Sequence, residues 1–185
     1  MRVYKVFIGI DLGAKAGISV LCNNTMHTHE VYFGKAKVEP TRYYKFWVHL
    51  TNLFSELSKD YKPEEIIVYY EYVARHLGTK AAHAYGAYRM ILLMACHDRD
   101  IKTEELSVQA IKKTATGKGN AKKDIMIESA NNRFKPSWDL TDNEADSMWI
   151  AYLGKELIYE SFEAIERSGP VRAIKRDGSL YDDPS

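Results

Sequence analysis

Apolar positions along this chain change their period several times, and each change marks an element. Residues 3–10 are dense in β-branched and aromatic side chains (Val3, Tyr4, Val6, Phe7, Ile8, Ile10), which predicts a central strand. Residues 13–17 read as a turn, 18–22 as a second strand, Asn23-Asn24 as a tight turn and 26–33 as a third strand, so the chain opens with a meander. After Pro40 the period lengthens. Tyr43, Phe46, Trp47, Leu50, Phe54 and Leu57 recur at helical spacing and predict a helix over 41–59. Residues 66–72 form a continuous apolar run, the pattern of a strand covered on both faces. There follow a helix over 80–95, a fifth strand over 101–106, a short helix over 107–113 and a helix from Asn120 or Ala121 to Asn131. Gly86, inside the first of these helices, costs about 1 kcal/mol against alanine and is expected to mark close packing on another helix. A last long helix runs from Thr141 to Phe162. Residues 1–167 read as one domain, and 168–185 as a polar, mobile tail. Three meandering strands, then α-β-α-β and further helices, predict an α/β protein with a mixed five-stranded sheet flanked by helices.

Composition narrows this picture modestly. The 185 residues are 45% hydrophobic and 28% charged with a net charge of +1, so any surface for a polyanion must be a local patch. No run of about 18 apolar residues is present and the N-terminus enters a strand directly, so neither a membrane span nor a leader is expected. Cys22 and Cys96 lie in apolar surroundings and read as free thiols in a reducing, intracellular setting.

Candidate chemistry lies at the edges of the apolar elements. Asp11 ends the first strand within Gly9-Ile10-Asp11-Leu12-Gly13, and Glu71 ends the apolar run at Tyr70. Acids are rarely buried without a partner, and a parallel sheet presents its ligands beyond the carboxyl ends of its strands. The third segment is Thr141-Asp142-Asn143-Glu144-Ala145-Asp146. Thr141 and Glu144 have the spacing of a capping box, which accounts for Glu144, and Asp142 suits the positive end of the helix. Asp146 has no such account. It lies on the face continued by Trp149, Ile150 and Leu153 toward the core, with Asp142 one turn earlier. Gathered carboxylates call for a divalent cation. Between the second and third segments, residues 111–123 hold five lysines (Lys112, Lys113, Lys118, Lys122, Lys123) with Thr116, two glycines and no acid. A glycine-rich basic loop before a helix has the parts of an anion site, although the spacing of a nucleotide-binding P-loop is absent. The Gly-Ile-Asp-Leu-Gly string also resembles the phosphate loop of actin-like ATPases, but 185 residues is too short for their two lobes.

Taken in order, five segments resemble the RuvC family of Holliday-junction resolvases, the shorter phage or viral members in particular. They are Gly9-Ile10-Asp11-Leu12-Gly13, Tyr70-Glu71, Ala84-Tyr85-Gly86-Ala87-Tyr88-Arg89, residues 111–119 with Lys123, and Glu144-Ala145-Asp146-Ser147. The resemblance implies a ribonuclease-H-like fold and a metal-dependent endonuclease for branched DNA, especially four-way junctions, cutting by paired nicks with 5′-phosphate and 3′-hydroxyl products. It implies two Mg2+ ions per site (Mn2+ substituting) and a homodimer, for which residues 80–95 offer a surface. Asp11, Glu71 and Asp146 match the family's metal-binding acids, and Lys112 and Lys123 its lysines near the scissile phosphate. The family's fourth acid falls at Asn143. Either Asp142 replaces it or Asn143 supplies a neutral oxygen, with Glu144 as the remaining neighbour. Lys113, Thr116, Lys118 and Lys122 would contact DNA. Where the bacterial enzyme carries a stacking Phe, this chain has Ala74, then Arg75 and His76, leaving Tyr72 or His76 to stack. Two other readings stand beside this one: a ribonuclease-H-like enzyme for RNA–DNA hybrids, and a junction-binding scaffold without catalysis.

Overall fold

A computed structural model describes residues 3–34, 41–73 and 78–168, with side chains as far as residue 160. The elements are β1 (Val6–Asp11), β2 (Lys15–Cys22), β3 (Thr25–Tyr32), α1 (Thr41–Leu57), β4 (Ile66–Tyr72), α2 (Thr79–His97), β5 (Lys102–Ser107), α3 (Val108–Thr116), α4 (Lys123–Phe134) and α5 (Asp142–Ser168). One sheet in the order β3-β2-β1-β4-β5 carries the fold. The β1–β2 and β2–β3 pairs are antiparallel, whereas β1–β4 and β4–β5 are parallel. Residues 1–154 form one compact unit; from Lys155 a second unit begins, in which the Lys155 ammonium lies 5.5 Å from the Tyr159 ring. The tail expected over 169–185 lies outside the described residues.

Alternation along the strands divides the sheet into two unlike faces. Val6, Ile8 and Ile10, with Ile18, Val20, Ile66, Val68 and Tyr70, point to one side and join a core with α1 and α2. Large aromatics fill that layer. Phe33 meets Phe46 with ring centroids 5.2 Å apart, and Phe46 and Tyr43 both stand edge-on to Tyr88 at 5.2 and 5.0 Å. The other face presents Gly9 and Asp11, Gly17 and Ser19, Tyr69 and Glu71, in register across the strands. Here α5 lies almost on the backbone. A methyl group at Gly9 would overlap the Ser147 carbonyl and the Ala151 amide, one at Gly17 the Asn143 carbonyl, and one at Gly154 the Tyr69 ring. The Ser19 and Ser147 hydroxyls, 2.7 Å apart and buried, fix the same crossing.

Several boundaries differ from the sequence expectation for physical reasons. Residues 15–17 are strand, because the β1–β2 ladder continues to Asp11↔Gly17; Gly17 serves helix approach instead of a turn. Asn23 and Asn24 do form the turn, both with positive φ (48° and 60°), as a two-residue hairpin requires. Ser107 caps α3, its hydroxyl accepting from the Ala110 amide at 3.2 Å, and α3 runs on to Thr116, where Gly117 in the left-handed region ends it. The helix expected from Asn120 or Ala121 begins only at Lys123. Among the described residues a side chain at Gly86 would meet nothing within 4 Å, so the expected close helix packing there is not found among them. Cys96 is a buried free thiol pushed up to about 12 by burial, and Cys22 is half-buried. Among the described residues no helix is long and apolar enough to cross a membrane.

Candidate active site

Parallel pairing of β1 with β4 in the register Ile10↔Tyr70 puts Asp11 beside Glu71 at one edge of the sheet. Being two residues beyond Gly9 and Tyr69, both carboxylates lie on the α5 face. Over that edge comes the N-terminus of α5, held by the capping box read from the sequence. The Thr141 amide donates to Glu144 Oε2 at 2.9 Å and the Glu144 amide to Thr141 Oγ1 at 3.2 Å. Asp142 and Asp146, one turn apart, then face the two strand acids.

Electrostatics tie these four acids into one cluster. Burial and then the charges of Glu71, Asp146 and Asp142 push Asp11 up to about 8, against a smaller opposing pull from Lys123. Burial raises Asp146 to about 6, offset by Lys123 and Lys112 and reinforced by Asp142. Glu71 is raised by burial and by Asp146, and eased by Lys112. Asp142 behaves oppositely: its ion pair with Lys123 holds it below the usual range and raises Lys123 in turn. Among the described residues no hydrogen-bond donor reaches the carboxylates of Asp11, Glu71 or Asp146. A cleft of about 20 Å3, room for about one water-sized group, opens between Glu71, Asp146 and Lys112, floored by Val108, Ile111, Met126 and Ile150.

An all-oxygen set of half-buried acids, raised by mutual repulsion, fits a hard divalent cation. As they stand, no three acid, His or Cys side chains among the described residues form a closed ligand group. Like charges repel, and Asp142 is drawn to the Lys123 ammonium.

The remaining expected residues divide. Glu144 stands apart from the cluster: its carboxylate serves the capping box, and its charge is felt at His29 on β3. The Asn143 amide donates to Glu30 at 2.6 Å, and Glu30 also pairs with Lys15 at 2.7 Å. That Lys15–Glu30–Asn143 link ties β2 and β3 to the first turn of α5, and the sequence reading missed it. Glu30 stands opposite Gly17 in register, a relation that appears only once the hairpin is built. Lys113 is exposed on α3, and Lys118 and Lys122 are exposed on the loop that follows it. The Thr116 hydroxyl is turned inward, donating to the carbonyls of Lys112 or Lys118 and accepting the Lys118 amide at 3.2 Å, so it shapes the loop and does not present a free group. Tyr72 is exposed at the end of β4. Ala74, Arg75 and His76 lie outside the described residues.

This strand order, with acids at the carboxyl ends of the first and the central strand and under a helix N-terminus, defines a nuclease of the ribonuclease-H-like class. The family model for RuvC, crossover junction endodeoxyribonuclease, matches residues 7–137, and the chain belongs to that family, whose members are metal-dependent nucleases. It is similar to the crossover junction endodeoxyribonuclease RuvC of Chlamydia trachomatis serovar L2, 28% identical over 156 residues, covering 79% of this chain and 88% of that one. Against RuvC of Brachyspira hyodysenteriae it is 31% identical over 96 residues, 52% of this chain and 58% of that one. In fold it is similar to T. thermophilus RuvC in complex with a Holliday junction substrate: TM-score 0.72, 15% identity, covering 85% of this chain and 97% of that one. The family match ends at residue 137, before Asp142 and Asp146.

Proposed function

We propose that this protein resolves four-way DNA junctions and related branched DNA by paired, symmetric nicks, leaving ligatable 5′-phosphate and 3′-hydroxyl ends. The observation that supports this best is the convergence of Asp11, Glu71, Asp142 and Asp146, from two strands and a helix, beside Lys112 and Lys123. Mg2+ is the ion that this hard, all-oxygen set suits, with Mn2+ as a substitute. Divalent ions held there would supply a Lewis acid for the phosphate oxygens and an activated water. Asp11, Glu71, Asp142 and Asp146 would hold the ions. Asp142 is our choice for the fourth acid, because Asn143 is already engaged by Glu30. Lys112, lining the cleft, and Lys123, bridging to Asp142, would offset charge gathering on the scissile phosphate. Lys113, Lys118 and Lys122 would hold the DNA backbone, and Tyr72 offers a ring for stacking.

Two nicks across a two-fold junction call for two sites, which a C2 homodimer supplies. The exposed Met90 and Met94 on α2, each 55% accessible, give an apolar surface for it. Four-way junctions arise where DNA is recombined, so the proposed setting is intracellular. The test is cleavage of a labelled synthetic four-way junction with Mg2+, Mn2+ or EDTA, by the wild type and Asp146→Asn. Paired ligatable nicks that vanish with EDTA and in the variant are expected. Cleavage of RNA–DNA hybrids in place of junctions, or tight junction binding without nicks in any metal, would replace this reading with one of its two rivals.

A further inference from the structure

The segment Ala84-Tyr85-Gly86-Ala87-Tyr88-Arg89 offers more than a dimer surface, and its side chains point to a second role. Ladder pairing of β4 with β1 ends at Ile10↔Tyr70, one residue short of Glu71. At that point the Tyr85 hydroxyl donates to the Glu71 carbonyl at 2.7 Å and accepts the Val73 amide at 3.4 Å. Bonds to residues i and i+2 along one edge are the pair that a neighbouring parallel strand would make. Tyr85 thus extends the ladder by one residue from a side chain. One helical turn on, Arg89 Nε donates to the Tyr70 hydroxyl at 3.2 Å, and its guanidinium reaches Glu105 on β5 at the same distance. Between them Tyr88 is buried in the aromatic layer, which locks the helix in this rotation. So α2 grips β4 on both sides of the Glu71 peptide.

We propose that Tyr85 is a positioning residue for Glu71: by holding its carbonyl and the next-but-one amide, it fixes the backbone at the strand exit and aims the carboxylate into the acid cluster. The inference rests on the proposed role of Glu71 and adds that α2, the helix offered for dimerisation, also sets the geometry of the site. Glu71 carries a charged group into a half-buried space of like charge, where repulsion from Asp146 favours turning it outward. A backbone held at two points opposes that turn.

Tyr85→Phe tests this, because it removes the hydroxyl and keeps the ring that packs. Amide hydrogen exchange on the free protein is the first readout. Exchange at Val73 should speed up roughly tenfold or more, with residues 66–69 unchanged. On four-way junctions the rate at saturating substrate should fall about 10–100-fold, the scale seen when a group orienting a metal ligand is removed. Junction affinity should hold within twofold, and the Mg2+ concentration giving half of the thermal stabilisation should rise about tenfold. A cutting rate within twofold of wild type overturns the proposal. So does an equal loss of affinity and rate, or faster exchange along all of β4, because each marks plain packing. If the wild type cuts no junction, the proposed function falls, and Val73 exchange with the Mg2+ midpoint then decides the clamp on its own.

Discussion

The two faces of the sheet are covered by different means. Toward α1 and α2 the contact is a thick layer of large side chains, Phe33, Phe46, Leu50, Phe54, Tyr88 and Leu92 among them. Toward α5 the contact is thin, with backbone against backbone at Gly9 and Gly17 and the Tyr69 ring lying on Gly154. A thick apolar layer buries much area, and it tolerates small shifts because side chains can repack. A glycine contact buries little and tolerates none. The first face holds the fold together; the second sets where Asp142 and Asp146 stand relative to Asp11 and Glu71. Stability and placement are therefore separable, and the sharpest experiments change one without the other.

The largest separation should come from the acids themselves. Asp146→Asn is expected to lower junction cleavage by roughly a thousandfold, since ligands to catalytic metals are worth several kcal/mol in the transition state. Its melting temperature should stay level or rise, because the substitution removes a repelling buried charge. A thousandfold loss accompanied by unfolding would mean that Asp146 holds the core. Next comes a pair of substitutions, one on each face. Gly17→Ala drives a methyl group into the Asn143 carbonyl and must push the start of α5 outward. It should cost about 1–3 kcal/mol and, through displacement of Asp142 and Asp146, about a hundredfold in rate. Phe46→Leu should cost about 1–2 kcal/mol and leave the rate per folded molecule nearly unchanged. Chemical denaturation alongside single-turnover cleavage measures both. Equal rate losses in the two variants would end the distinction between the faces.

Proton linkage gives a smaller, cleaner signal. Asp11 is raised to about 8 and Asp146 to about 6 in the folded protein, well above carboxylates in an unfolded chain. From about pH 4 to 8 the metal-free folded state thus binds more protons than the unfolded state, and these groups make stability fall as pH rises through that window. His29 and His49 push the other way near pH 6, because burial lowers both and the unfolded chain binds their protons more readily. Asp142, held low by Lys123, adds stability that is lost only below its own acid range. The quantity to measure is therefore the difference between wild type and Asp11→Asn. At pH 8 without metal the variant should melt roughly 3–6 °C higher, and at pH 5 the gap should shrink. Divalent ions should raise the wild-type melting point more at pH 8 than at pH 5. A gap independent of pH would remove the charge cluster from the account.

Much of this was legible in the sequence where one physical demand dominated. The run Ile66–Tyr72 is a strand with the expected bounds, because burial on both faces leaves no other reading. The capping box at Thr141 and Glu144 is present, and with it came the facing positions of Asp142 and Asp146. Where two demands compete, the sequence misleads. Gly17 reads as a turn residue, yet α5 needs it bare within a strand. Gly86 reads as a packing residue, yet no described residue lies within 4 Å of a side chain there. The Lys15–Glu30–Asn143 link and the Tyr85 clamp join residues far apart in sequence, so no local pattern carries them; they follow from register and helix rotation, which only the assembled sheet fixes.

The basic loop tests the comparison from outside both faces, with the smallest expected effect. Lys112 and Lys123 adjoin the acids, whereas Lys118 lies on the exposed loop between α3 and α4. If position relative to the α5 face decides role, neutralising Lys118 should act on binding alone. Lys118→Gln should weaken junction binding and lower the slope of log affinity against log salt by about one, the change that removing a single phosphate-neutralising charge produces. Its rate at saturating junction should stay within twofold of wild type. Lys112→Gln should do the reverse, slowing the saturated rate with a change in slope no larger, because its charge is spent beside Glu71 and Asp146. Salt titrations of binding paired with saturated single-turnover rates separate the two. Should Lys118→Gln slow the saturated rate as much as Lys112→Gln does, the loop closes onto the reacting phosphate, and the boundary between holding the DNA and cutting it lies further from the sheet than the α5 face implies.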